Sequence, residues 1–183
     1  ESLSDELEKT EKSILCPTNP YAATKGAAEL LVQSYYYSFN LPIIITRGNN
    51  VYGYNQYPEK LIPKFIQLLK NNKKVTIQGN GSAIRSFLFI DDVVKAFDLV
   101  LMKGKIGEIY NIGGGCDTEY NVLNIAKKLI KKIKNTENYD DYIEYIDDRP
   151  FNDQRYFISN QKIVDLGWSI NVDLNQGLEL LIK

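Results

Sequence analysis

The sequence predicts an α/β fold in which at least part of the sheet is parallel. Short β-branched or apolar runs alternate with longer segments of helical spacing along nearly the whole chain, which is the pattern of strands joined by crossover helices. Several helical segments open on residues whose side chains accept hydrogen bonds from a first turn: Asn19, Asp91, Asn121, Ser159 and Asp173. No internal repeat or low-complexity tract interrupts the alternation.

The elements follow in order. Residues 1–18 are polar and read as an arm. Asn19 and Pro20 start a helix that runs to Phe39, because proline suits the first helical position and asparagine caps it; Asn40 ends it. Alanines 22, 23, 27 and 28 allow a neighbouring backbone to approach, and Leu30, Leu31 and Tyr35 continue an apolar face. Residues 42–46 read as a buried strand. A long loop, 47–59, follows. Residues 61–69 have helical spacing, residues 75–77 read as a strand, and Gly79-Asn80-Gly81 as a tight turn. Residues 84–90 form one strand, residues 92–102 a helix capped by Asp91, and residues 108–112 a strand ended by Gly113-Gly114-Gly115. Asn121 caps a helix reaching Lys134. Residues 143–146 are a strand, a short helix from Ser159 ends at Gly167, and Asp173 caps the last helix.

Composition narrows the function classes. The 183 residues are 44% hydrophobic and 25% charged with a net charge of −1, ordinary values for a globular domain. That balance gives no basic field for a nucleic acid, and no apolar run reaches membrane-spanning length. Two cysteines, Cys16 and Cys116, make no disulfide framework and fit a reducing, cytoplasmic setting. The absence of histidine removes Ser–His and Cys–His catalysis and most zinc sites, so no metal site is expected. The first residue is Glu1, which leads us to expect a piece of a longer protein.

Three constellations carry possible chemistry, and two more read as structural. Tyr21 and Lys25 lie one helical turn apart on one face. A neighbouring ammonium favours the phenolate and makes a usable base, although thirteen tyrosines in a lysine-rich chain give about one such spacing by accident. Arg47-Gly-Asn-Asn-Val-Tyr-Gly53 follows a strand directly, where open α/β sheets bind ligands; its arginine and amides could hold a polar ligand or simply form a loop. Arg85 and Arg149 could clamp a diphosphate, or pair with aspartates 148 and 153. Gly113–Gly115 reads as a turn, since it lacks phosphate-loop spacing, and lysines 127, 128, 131, 132 and 134 read as a solvated helix face.

Together these segments resemble the nucleoside-diphosphate-sugar 4,6-dehydratases of the extended short-chain dehydrogenase/reductase superfamily. The resemblance spans about residues 17–183. It rests on Asn19-Pro-Tyr-Ala-Ala-Thr-Lys25, Arg47-Gly-Asn-Asn-Val-Tyr-Gly53, Pro58-Glu-Lys-Leu-Ile-Pro63, Gly107-Glu-Ile-Tyr-Asn-Ile-Gly113 and Arg149-Pro-Phe-Asn-Asp-Gln-Arg-Tyr156 in order. The last run looks most like the UDP-glucose enzymes of rhamnose synthesis; the bacterial dTDP-glucose enzymes usually carry Gly-His where this chain has Phe151-Asn152.

The resemblance implies the C-terminal part of a Rossmann-type NAD-binding domain plus a small α/β substrate lobe. Residues 1–57 would end the dinucleotide-binding domain. Residues 58–183 would be mainly the substrate lobe, with about 84–100 and 143–158 returning to the Rossmann sheet. It implies that Tyr21 takes the proton of the sugar 4-hydroxyl as hydride passes to NAD, and that Lys25 holds the nicotinamide ribose. Loss of water across C5 and C6 and return of hydride would then give a 4-keto-6-deoxy sugar. Val51 would lie beside the cofactor. Asn50, Lys60, Leu61, Thr76, Ile77, Gln78, Arg85, Asn121 and Arg149 would contact the nucleotide-sugar, with residues 76–78 near the base. The helix that starts at Tyr21 resembles the one that packs family homodimers.

The family's glycine-rich cofactor loop and its Thr-Asp-Glu elimination acids precede this region and have no counterpart here. About the first two-fifths of the protein is therefore expected to lie outside the chain, and the chain alone is expected to be inactive, with apolar surface left open. The competing readings are an epimerase or decarboxylase of the same fold, a non-catalytic nucleotide-sugar binding module, and an RNA-binding domain using the lysine helix.

Overall fold

The structure is a computed structural model, and it describes residues 8–115, 118–148 and 158–183. Six helices and eight strands alternate among those residues: α1 (Pro20–Phe39), β1 (Ile45–Gly48), β2 (Val51–Tyr52), α2 (Leu61–Lys70), β3 (Val75–Gln78), β4 (Ile84–Ser86), β5 (Leu88–Phe89), α3 (Ile90–Lys103), β6 (Ile109–Ile112), β7 (Glu119–Asn121), α4 (Val122–Lys134), β8 (Ile143–Ile146), α5 (Gln161–Asp165) and α6 (Leu174–Ile182). No described helix is long and apolar enough to cross a membrane.

Three of the four strand pairs are parallel, β1 with β6, β2 with β5 and β3 with β8, and only β4 with β7 is antiparallel. The expected single strand over residues 84–90 is two strands. The chain changes partner at Phe87, from β7 on one side to β2 on the other, so one continuous ladder cannot form. The turn at Gly79–Gly81 is present, with both glycines at positive φ, but β3 pairs with β8 and not with the strand after the turn.

Helix ends follow their capping chemistry. Asn19 is extended and its side chain accepts from Ala22 N–H, Pro20 occupies the first turn, and Asn40 closes the helix in the left-handed region. Asn121 caps α4 through Asn124 N–H. Asp173 and Gln176 form a reciprocal capping box on α6. The expected cap at Asp91 is absent: α3 starts at Ile90, its N-cap is Phe89 without a side-chain bond, and Asp91 and Asp92 lie inside the first turn, where carboxylates suit the helix dipole.

Two apolar clusters hold the chain. One joins β3, α2, α4, α6 and Tyr52, with Phe65, Leu69, Ile77, Leu129 and Leu178 at its centre. The other joins α3, β6 and the α5 region through Leu88, Ala96, Ile112, Ile163 and Trp168, with Ile44 and Val51 packed on it. β8 belongs to the first cluster through Ile143 and pairs with β3, while Ile158, at the far end of the expected return over residues 143–158, bridges Lys9 and lies against Gly113 just after β6. Residues 149–157 of that expected return lie outside the described residues. α1 contributes no buried residue to either cluster.

Candidate active site

The direction of α1 places its first turns. Near its C-terminal end, the Tyr36 ring lies against Gly107, where a Cβ would come within 2.6 Å of the ring. Gly107 has φ +84 and its N–H donates to Ile43 O at 2.7 Å, just ahead of β6. Two turns earlier, Glu29 grips Arg47 in β1: Arg47 Nε donates to Oε2 at 3.0 Å and Nη2 to Oε1 at 2.6 Å. α1 therefore runs antiparallel to β1. At about 1.5 Å per residue, Lys25 and Tyr21 lie about 6 and 12 Å beyond that grip. They extend past the carboxyl ends of β1 and β6, the side on which open α/β sheets bind ligands. Tyr21 is 74% exposed and Lys25 is exposed as well. Neither is used in packing.

The chain leaving β1 reaches the same end. Asn49 N–H still donates to Ile112 O at 3.1 Å. Asn50 follows in the left-handed region, φ 29, its carbonyl accepting from Leu88 N–H at 3.2 Å. Its side-chain Nδ2 is buried and has no hydrogen-bond partner among the described residues. An unpaired buried amide of this kind costs about 1–3 kcal/mol, and a ligand acceptor there would relieve it. Val51 is half-buried in β2, paired with Leu88, and its carbonyl accepts from Gln56 Nε2 at 2.8 Å. Tyr21, Lys25, Asn50 and Val51 thus share one end of the β1–β6 sheet. An exposed phenol and ammonium, at the sheet end that also carries a half-buried valine and an unmet amide, would suit the nicotinamide end of NAD. No cradle for its pyrophosphate is found among the described residues. A Cβ at Gly113 would strike Ile158, and one at Gly114 would strike Thr118 and Ser86, so these glycines serve close packing.

A second group gathers around the β3–α4 junction. Gly81 N–H donates to Gln78 O at 3.1 Å, Leu123 N–H to Gly81 O at 3.2 Å and Val122 N–H to Ala83 O at 3.2 Å. The antiparallel register sets Ile84 opposite Asn121 and Arg85 opposite Tyr120. Gln78, Arg85 and Asn121 thus lie on neighbouring stretches of main chain, with Thr76 half-buried on the same strand as Gln78. Two details bear on these expectations. Ile77 is fully buried in the first cluster, because the strand alternation turns it inward, so only its main chain can face a base. Asn121 Oδ1 accepts the α4 cap bond from Asn124 N–H at 2.7 Å. Arg85 Nη1 donates to Ile84 O at 2.7 Å. Lys60, exposed, is the N-cap residue of α2, and Leu61, half-buried, is its first residue. Arg149 lies outside the described residues, which resume the chain's path only up to Asp148, packed at Gly79.

One possible ligand holder, Arg47, and the lysine face read as solvated both make contacts within the protein. Arg47 is engaged by Glu29 and by Glu11 O, 3.3 Å from Nη1, so its fork faces protein. The lysine face of α4 is occupied too: Lys127, Lys128 and Lys134 lie over the rings of Tyr139, Tyr120 and Tyr142 at 5.3, 5.7 and 5.8 Å. Lys131 and Lys132 pair with Glu137 and Glu179. Tyr52, in the same motif as Asn50, is no base: burial, with Asp173 nearby, pushes its phenol well above the usual range. Glu29 was not singled out in the sequence; its signal is the repeat of four that continues the stripe Tyr21, Lys25.

Fold and site define a Rossmann-type α/β protein carrying a Tyr/Lys helix at the carboxyl end of its sheet. Within that class the chain belongs to the GDP-mannose 4,6-dehydratase family, whose profile matches residues 3–181. It is 50% identical, over 92% of its length, to a dTDP-D-glucose 4,6-dehydratase of Dictyostelium discoideum, of which it spans 46%. It is also 50% identical, over 92% of its length, to an Arabidopsis thaliana trifunctional UDP-glucose 4,6-dehydratase/UDP-4-keto-6-deoxy-D-glucose 3,5-epimerase/UDP-4-keto-L-rhamnose-reductase, of which it spans 25%. Among solved structures, a Streptomyces venezuelae dTDP-glucose 4,6-dehydratase with NAD and TYD bound superposes with a TM-score of 0.90 at 33% identity, covering 98% of this chain and 54% of that one. The chain spans about half the length, or less, of the curated relatives it matches.

Proposed function

We propose that the protein containing this chain is an NAD-dependent nucleoside-diphosphate-glucose 4,6-dehydratase, acting on UDP-glucose in preference to dTDP-glucose and serving deoxysugar or rhamnose synthesis. The observation that carries it is the exposed Tyr21–Lys25 pair, held at the sheet end where Asn50 keeps a buried amide without a partner. Relatives named as UDP- and dTDP-glucose 4,6-dehydratases support the reaction, and the Arg149–Tyr156 run supports the uridine form. On this reading residues 1–57 end the dinucleotide-binding domain, and the remainder is mainly the substrate lobe. The protein is a cytoplasmic homodimer packed through α1, whose apolar side chains stand open.

The chain's own residues have defined tasks. Tyr21 Oη accepts the proton of the sugar 4-hydroxyl, and the Lys25 ammonium one turn away steadies the negative charge on that oxygen. NAD, when bound, supplies the reversible acceptor for the hydride that leaves C4 and returns to C6. Asn50 Nδ2 donates to the nucleotide-sugar. Arg85 and Arg149 hold its diphosphate, as guanidinium forks suit phosphate oxygens. Asn121, Lys60 and Leu61 position it, and residues 76–78 border the base, Ile77 by its main chain.

The test uses the full-length protein. It is incubated with UDP-glucose and with dTDP-glucose, and the 4-keto product is followed. Turnover of UDP-glucose is expected to exceed that of dTDP-glucose; conversion of neither would sink the reading. Tyr21→Phe is expected to lower kcat about 10²–10⁴-fold. An epimerase would instead return the substrate's 4-epimer with no 4-keto sugar.

A further inference from the structure

We infer that Arg47 and Glu29 are the positioning pair that sets where Tyr21 meets its substrate; this rests on the reading of Tyr21 as the proton acceptor. Four observations carry it. α1 is 20 residues long and buries none of them fully within this chain, its Tyr36 ring resting against Gly107. Its tie to the end of β1 is polar and local: the two-pronged bond from Arg47 Nε and Nη2 to the Glu29 carboxylate, 3.0 and 2.6 Å. Both side chains are mostly shielded, at 22% and 12% exposure, and the carboxylate takes a further bond from Gln33 Nε2 at 3.2 Å. The third donor of Arg47 reaches Glu11 O at 3.3 Å, so the same guanidinium ties the N-terminal arm to the sheet.

Geometry gives the pair leverage. Glu29 continues the stripe of Tyr21 and Lys25 at steps of four residues, and the grip lies about 12 Å along the axis from Tyr21. A tilt of about 5° at the grip would move the phenol by about 1 Å, a displacement that can lower a rate by about 10²-fold. Arg47 itself stands three residues before Asn50. One side chain therefore references the helix bearing the phenol to the strand that leads into the substrate contact. Lysine cannot replace it in kind, because only the planar fork makes two parallel bonds.

The experiment is a double-mutant cycle in the full-length protein: Arg47→Lys, Glu29→Gln and Tyr21→Phe singly, and each of the first two combined with Tyr21→Phe. kcat and KM are measured for each, together with hydrogen exchange of residues 20–39. Arg47→Lys and Glu29→Gln are expected to lower kcat about 10–100-fold, with KM within about 3-fold, and to speed exchange in α1. In the Tyr21→Phe background the same changes are expected to alter kcat by less than about 2-fold. Equal fold losses in both backgrounds would assign the pair a general structural role and overturn the inference, as would a rise in KM at constant kcat. Full loss at Tyr21→Phe with none at Arg47→Lys and Glu29→Gln overturns the positioning role alone. An unchanged kcat at Tyr21→Phe overturns the reading of the phenol, and the pair's role with it.

Discussion

The carboxylate of Asp92 is fully buried, and Oδ2 accepts from Asn171 N–H and Val172 N–H, each at 2.9 Å. Asn171 Nδ2 reaches Oδ1 at 3.4 Å, and Trp168 Nε1 donates to the Asp92 carbonyl at 2.9 Å. One residue in the first turn of α3 thus fastens the segment leading into α6. Asp92→Ala leaves two backbone N–H groups without their acceptor, at about 1–3 kcal/mol each, so a loss of about 3 kcal/mol in denaturant unfolding is expected. Tyr52 presents the opposite case. Its hydroxyl is buried with no partner among the described residues, wedged against Gly177, where a Cβ would lie 2.8 Å from Cζ. Phe87 and Phe89 meet its ring edge-on at 6.2 and 5.3 Å. Tyr52→Phe is expected to be neutral or stabilising by about 1 kcal/mol near pH 7. Because the folded phenol titrates above the ordinary 10.0, the unfolded chain releases a proton above that pH which the folded chain keeps. Stability should therefore fall above about pH 10 and be level below it, by at most about 1.4 kcal/mol per pH unit from this group. The wild-type-minus-Phe difference in unfolding free energy isolates that slope, and a flat difference from pH 9 to 11 contradicts the assignment. Single residues were legible in the sequence where chemistry is local, as with Asn19, Asn121 and Asp173 as caps. Asp92 and Glu29 were not, because their partners lie 79 and 18 positions away.

At the scale of elements, the best-read helices are those with caps at both ends, α1 and α4. The strands β2 and β7, of two and three residues, are not legible in the sequence because such lengths carry no periodicity. Short elements need anchors from elsewhere, and α5 shows one. This helix of five residues is bound to β6 through Lys162, whose Nζ donates to Glu108 Oε2 at 2.8 Å and Ile109 O at 2.6 Å and lies 4.5 Å from the Tyr110 ring. The bond to Lys162 holds the Glu108 carboxyl below its ordinary 4.5. A lowered folded value means that the extra stability is present above pH 4.5 and is lost as pH falls through the folded value. Glu108 is largely solvated, so the pair contributes no more than about 1 kcal/mol at pH 7. Lys162→Met should show that deficit at pH 7 in chemical unfolding, and the deficit should shrink below pH 4. A deficit that stays constant down to pH 3 would assign it to the ring contact and the carbonyl bond instead of the carboxylate.

For the whole molecule, the two apolar clusters and α1 are separate things. Among the described residues neither cluster draws on one before Ile44, while α1 leaves Leu30, Leu31, Tyr37 and Phe39 more than half exposed, as α3 leaves Leu101 and Met102. The alternation of strands and helices announced the α/β class because each cluster is built from contiguous units. The division of labour was not legible, since which strand pairs with which is set at long range. A chain of residues 41–183 is therefore expected to fold. It loses the Glu29–Arg47 grip and the arm's bonds, Asn111 N–H to Glu11 Oε1 at 2.9 Å, Asn111 Nδ2 to Lys9 O at 3.3 Å and Ser159 N–H to Lys9 O at 2.8 Å. Water replaces most of these, so the net loss is about 2–3 kcal/mol and the Tm falls by about 10 °C or less. Removing α1 also removes open apolar surface, so binding of an apolar dye should drop relative to residues 1–183. On the proposed reading, in which Gln78, Arg85 and Asn121 hold the nucleotide, affinity for UDP should hold within about 3-fold. A non-cooperative melt of residues 41–183 would mean that α1 is part of the core after all, and loss of UDP binding in a folded 41–183 chain would move the nucleotide contact to the excised helix.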